Sequence, residues 1–174
     1  MAFEGDILQS CPADLDFANT EAVVVSGASW NPCGHMILCT GTNSANSWYF
    51  HVAGQGWKEL GGVRAIPKFM REDGFRRYLA ENSKHEIRRL DAKLKNPAAA
   101  YQKLMELMTG NWWWGVLIHN CASFVEEIIK AGGGDLSVKL NCPDQEFVQS
   151  LSNQIDEMVK QEAKFQRENI GPKW

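Results

Sequence analysis

The stretch His119–Gly134, HNCASFVEEIIKAGGG, decides how the chain is read. Ala122–Ala131 suits a helix: Phe124, Ile128 and Ala131 recur at helical spacing and face a core, and Gly132, Gly133 and Gly134 end it. Cys121 stands at the mouth of that helix, directly after Asn120. The first turn of a helix leaves backbone N–H groups unpaired and carries partial positive charge. Such a setting lowers a thiol pKa and favours the nucleophilic thiolate. The same N–H groups can hold an oxyanion during acyl transfer. The competing reading is a buried, inert cysteine, the commoner fate of a lone cysteine in a helix.

Upstream, two histidines tip that competition toward chemistry. Ala22–Gly27 (AVVVSG) is β-branched and apolar and reads as a buried strand. His35–Thr40 (HMILCT) is a second apolar run, and Ser47–Ala53 (SWYFHVA) is a third, rich in aromatics. The short polar turn Thr42–Asn46 between them predicts an antiparallel hairpin. His35 opens one strand and His51 lies near the end of the other, so pairing brings them close. They then suit a base and its orienter in a Cys-His-His arrangement, since a general base needs a third group to fix its tautomer and tilt. The bland alternative is two ordinary half-buried strand histidines. His119 reads as a loop residue beside the thiol, and His85, in the charged stretch Glu81–Arg89, as solvated. Cys33, His35 and Cys39 also spell C-x-H-x3-C, with His51 or Cys121 as a fourth zinc ligand. The paired C-x2-C or H-x3-H units of structural zinc sites are absent from the sequence, so no metal and no other cofactor is expected.

Elsewhere, Pro67 suits the first turn of a helix over Lys68–Asn82. Leu90, Ala92 and Leu94 alternate with Asp91 and Lys93 as in a half-exposed strand, though Ile87, Leu90 and Leu94 also fit a helix. Asn96-Pro97 is a helix start for Pro97–Thr109, with Asn as cap. Trp112, Trp113 and Trp114 form a block that is core or, at Trp113, a platform for a sugar or peptide. Asp144–Asn169 reads as one long amphipathic helix through Phe147, Val148, Leu151, Ile155, Met158 and Val159, packed on the domain or binding a partner. These elements predict an α+β fold: a domain over residues 1–143 with an antiparallel sheet against the cysteine-bearing helix, and a helical extension over 144–174 packed on it.

The 174 residues carry 18 Lys and Arg against 21 Asp and Glu, a net charge of −3, which gives no electrostatic footprint for nucleic acid. No run of roughly 18 apolar residues exists, so no membrane span is expected. Five cysteines at irregular spacing argue against a disulfide framework. The start, Met-Ala-Phe-Glu-Gly-Asp, lacks the regions of a secretory signal, which predicts synthesis in the cytoplasm.

Gly34-His35-Met36-Ile37-Leu38, Tyr49-Phe50-His51-Val52-Ala53 and His119-Asn120-Cys121-Ala122-Ser123-Phe124-Val125, in that order, resemble the two histidine strands and the cysteine helix of permuted papain-like proteins. That group includes lecithin:retinol acyltransferase-like enzymes and bacterial cysteine hydrolases, and the resemblance covers roughly residues 20–135. It implies a circularly permuted papain-like fold, with Cys121 as nucleophile, His35 as base, His51 as orienter and Asn120 in support of the site. It also implies a cysteine hydrolase acting on an amide, peptidoglycan first among substrates. Some such bacterial proteins are antibacterial effectors, toxins delivered to the periplasm of a target cell by a secretion apparatus and matched by a cognate immunity protein. Two alternatives stand beside it: an acyltransferase or lipid-ester hydrolase with the same nucleophile, and a non-catalytic binding module in which Cys121 is structural.

Overall fold

In the computed structural model, residues 15–26, 34–41, 47–53, 63–65, 67–109, 112–114 and 120–136 are described, with helical residues 153, 154, 157, 158, 160 and 161. The first three apolar runs become β1 (Thr20–Val25), β2 (His35–Thr40) and β3 (Trp48–His51). There follow β4 (Val63–Ala65), β5 (Lys68–Arg71), α1 (Glu72–Glu81), β6 (Glu86–Asp91), α2 (Pro97–Thr109), β7 (Trp112–Trp114) and α3 (Cys121–Ala131). The architecture is α+β. The main sheet has the order β5-β3-β2-β1-β6, with every neighbouring pair antiparallel, and β4 pairs with β7 separately.

β1 and β2 are apolar at successive positions because helices cover both faces of the sheet. Ala22, Val24, Met36, Leu38 and Phe50 join Leu104 of α2 and Phe124, Val125 and Ile128 of α3 in one core. Val23, Val25, Ile37, Cys39 and Tyr49 join Met70, and Phe75 and Tyr78 of α1, in the other. A sheet with one wet face would alternate apolar and polar residues instead. Each large apolar side chain so buried contributes about 1.5–3 kcal/mol.

The helix expected over Lys68–Asn82 is corrected: Lys68–Arg71 is strand, and the helix starts at Glu72. Cross-strand pairing overrides the local helix signal, with Phe50↔Phe69 and Trp48↔Arg71 in register. Phe69 packs on Trp48 at 5.3 Å, and the Arg71 guanidinium sits 4.2 Å from the Trp48 ring centroid. Pro67 has no N–H to lose on an edge strand. The ambiguous stretch after it is a strand over Glu86–Asp91, paired to β1 from Glu21↔Asp91 to Val25↔Glu86. The tryptophan block divides: Trp112 is core, edge-on to Phe124 at 5.6 Å, and all three residues form β7.

α2 begins at Pro97 as its Asn-Pro start predicts, with Asn96 Oδ1 accepting from the Ala99 N–H at 3.2 Å. α3 ends at the glycine triplet. Gly133 takes φ 71°, and a Cβ on Gly134 would stand 2.4 Å from the Ala92 carbonyl, which only glycine permits. The Gly132 carbonyl accepts from the Lys95 and Asn96 N–H groups at 2.9 Å, which ties the end of α3 to the start of α2.

The chain divides into two compact units, Met1–Asp144 and Gln145–Trp174. In the second, the six described residues are helical and Met158 is exposed. The rest of the long helix expected over Asp144–Asn169 lies outside the described residues. Among the described residues no helix is long and apolar enough to cross a membrane.

Candidate active site

The β2–β3 hairpin sets the two histidines. Leu38↔Phe50 and Cys39↔Tyr49 are partners, and the same register puts His51 opposite Ile37, diagonal to His35 on one face. Gly34, at φ 82°, turns the chain into β2 just before His35. The rings meet directly: His35 Nε2 lies 3.0 Å from His51 Nδ1, with ring centroids 5.3 Å apart and edge to face. Both residues are buried, and Tyr78 of α1 packs on both, its ring 6.3 Å from His35 and 5.3 Å from His51. Burial holds the His35 imidazole well below its ordinary pKa, and the nearby His51 and Lys84 push it further the same way. His35 is therefore neutral at neutral pH.

Cys121 arrives from the other side of the sheet, in the core built on α2 and α3. Asn120 caps α3: its Oδ1 accepts from the Ala122 N–H at 3.0 Å and the Ser123 N–H at 3.2 Å. This is a defined structural task for the residue that sequence reading held as support for the site. The Cys121 sulfur is faced by the N–H groups of Met36, of Ala122 and of Cys121 itself. Met36 follows His35, so the sulfur lies beside the His35–Met36 peptide unit at the start of β2, while the His35 ring lies with His51 and Tyr78 on the other face of the sheet.

The expected depression of the thiol pKa is corrected. The helix-mouth N–H groups and Lys84 do favour the thiolate, but burial outweighs them and the net shift is upward. Cys121 is 5% exposed. At rest the structure therefore holds a neutral thiol and a neutral imidazole.

Cys39 lies on the histidine face but is a different kind of thiol. Burial pushes it up to about 11, and its sulfur contacts Arg89 Nη1 and the Thr40 carbonyl at 3.9 Å each. His85 is exposed, as the charged stretch predicts. Trp113 pairs with Arg64 across β4–β7, and its side chain lies outside the described residues, as do His119 and Cys33. Among the described residues no group of three or more His, Cys, Asp or Glu is arranged to hold a metal.

Lys84 is the residue that sequence reading missed. It sits in the turn between α1 and β6, and no local pattern marks it. Its approach to the site depends on β6 pairing with β1. No family model matches the chain, and no curated protein or solved structure matches it.

The Asn120 cap makes a direct prediction. Asn120→Ala loses about 1 kcal/mol of unfolding free energy, and Asn120→Asp, which keeps an acceptor oxygen, loses less. Urea denaturation of both variants checks this. Equal losses would mean that the oxygen does not hold the helix start.

Proposed function

We propose that the chain is a cysteine hydrolase that opens an amide bond through a thioester on Cys121, with His35 as base and His51 as its orienter, on a permuted papain-like architecture. The bond between His35 Nε2 and His51 Nδ1 carries this reading. With Nε2 engaged, the nitrogen left to His35 for proton transfer is Nδ1, the one nearer its own backbone. The Cys121 sulfur faces the N–H of the next residue, Met36.

The chemistry is that of acyl transfer. The mechanism uses the tautomer in which His35 Nε2–H donates to His51 Nδ1, which leaves His35 Nδ1 as acceptor. The Cys121 thiol passes its proton to Nδ1 as sulfur attacks the amide carbonyl carbon. The oxyanion forms beside the Cys121 N–H at the positive end of α3. As the tetrahedral intermediate collapses, the C–N bond breaks and Nδ1–H protonates the departing amine. Water then gives a proton to Nδ1, attacks the thioester, and releases a carboxylic acid and the thiol. Burial keeps the resting pair neutral, so charge develops only with the attack.

The substrate class supported by the motif resemblance is peptidoglycan, at an amide of its peptide. The test is incubation with purified sacculi and mass spectrometry of the soluble fragments. The expected result is fragments each gaining one water at an amide, with one new amine and one new carboxylate. Fragments cut only in the glycan strands, or release by a Cys121→Ala variant at the wild-type rate, would overturn the reading.

A further inference from the structure

We propose that Lys84 is an electrostatic positioning residue of this site: its ammonium, moored on the Ser26 carbonyl next to the strand partner of His35, fixes a positive charge at the end of the sheet where the reaction takes place. The inference rests on the reading of Cys121 as nucleophile, and it assigns a role to a residue outside the Cys-His-His set.

The mooring is built from several bonds. α1 ends in a tight turn in which Ser83 takes φ 51°, and the Lys84 N–H donates to the Leu79 carbonyl at 2.8 Å. The chain then pairs with Ser26: the Ser26 N–H donates to the His85 carbonyl at 2.9 Å, and the His85 N–H to Ser26 Oγ at 3.0 Å. Lys84 Nζ donates to the Ser26 carbonyl at 2.9 Å. Ser26 directly follows Val25, the strand partner of His35. The ammonium is thus anchored at the end of the sheet where the Cys121 sulfur meets the Met36 N–H. Lys84 is half-buried, so solvent ions screen its field less than that of a surface lysine.

Among the described residues, the titratable groups around this end are His35 from β2, His51 from β3, Tyr78 from α1, Cys121 from α3, His85 beside Ser26 and Glu86 of β6 opposite Val25. The electrostatic coupling runs both ways: Lys84 pulls the Cys121 and His35 pKa values down, and Cys121 pulls that of Lys84 up against its burial. A nearby positive charge lowers the pKa of acids and bases alike. It therefore helps the thiol to lose its proton and hinders the imidazole from keeping one. The sulfur's proton still passes to His35 Nδ1 at the attack; the ammonium favours the negative charge that develops on sulfur and the later return of the proton from Nδ1 to the departing amine, after which the neutral imidazole accepts a proton from water in deacylation.

The experiment measures iodoacetamide alkylation of Cys121 against pH in the full chain, resolved by peptide mass spectrometry, with Cys39 as internal reference. Lys84→Met keeps the apolar stem, Lys84→Gln keeps a donor for Ser26, and Lys84→Arg keeps the charge. Both neutral variants are expected to move the Cys121 midpoint up by roughly one pH unit, with about tenfold slower labelling below it, while Lys84→Arg stays near wild type and Cys39 does not move. Superimposed profiles for wild type and a folded neutral variant would overturn the proposal. So would Lys84→Arg shifting as far as Lys84→Gln. The labelling does not depend on turnover: a Cys121→Ala protein that still cleaves substrate removes the nucleophile reading, whereas an unmoved profile in a Cys121-dependent enzyme removes only the role of Lys84.

Discussion

Cys121→Ala is expected to abolish turnover, by about a million-fold or to background, while the protein keeps its fold. The two halves of this result have separate causes. A thioester needs the sulfur, and no described side chain at the mouth of α3 can replace it. Stability depends on what truncation leaves behind. Cys121 is buried, but the change removes one atom whose resting form is uncharged, so no ion loses a partner. The expected cost is about 1 kcal/mol, the scale of one buried methylene-sized group. In a chain of this length that moves the melting temperature by about 2–4 °C. Calorimetry and a peptidoglycan digestion on the same preparation measure both halves. Cys121→Ser fills nearly the same space and is expected to be as inactive, because an alcohol ionises far less readily than a thiol. A large drop in melting temperature with turnover retained would make Cys121 a core residue and leave the histidine pair without a nucleophile.

How much of this site was legible depended on how local the signal was. His35 and His51 could be brought together from sequence because a short polar turn between two apolar runs leaves few ways to pair them. Asn96-Pro97 marked the start of α2 because cap and ring preferences act within one turn. β5 was hidden: Lys68–Arg71 acquires its strand conformation from β3 alongside, chiefly through Phe69 and Arg71 packing on Trp48. β7 was hidden because its partner, β4, lies far upstream in the chain. The direction of the Cys121 shift is not legible in sequence for a related reason. Helix position is visible in sequence and favours the thiolate, whereas burial under the sheet and two helices is a property of the assembled core and weighs more. Lys84 was invisible because its role exists only once β6 lies against β1.

His35→Ala is expected to lower turnover by about 10²–10⁴-fold, the range for losing a positioned general base. His51→Ala is expected to cost less, and the double variant to be no slower than His35→Ala alone. An orienter acts only through the base it holds, so once His35 is gone His51 has nothing left to orient. Equal, multiplying losses would mean that His51 contacts substrate independently. Stability provides a second readout. His51 is 1% exposed, so His51→Ala opens a cavity and leaves the buried His35 Nε2 without the partner it has at 3.0 Å, at a cost of about 1–3 kcal/mol. The pH dependence of stability tests His35 itself. The folded chain holds His35 well below its ordinary pKa through burial, whereas the unfolded chain titrates near the usual value of about 6.5. Above that pH neither state binds the proton and nothing changes. As pH falls through it, the unfolded state gains a proton that the folded state refuses, so stability is lost on the acid side. His35→Gln cannot be protonated, so its unfolding free energy should fall less steeply than wild type below pH 6.5. Denaturant titrations across that window measure the slope directly. An unchanged slope would mean that His35 takes up a proton in the folded protein about as readily as in the unfolded one, and then it could not rest as the neutral base that the mechanism requires.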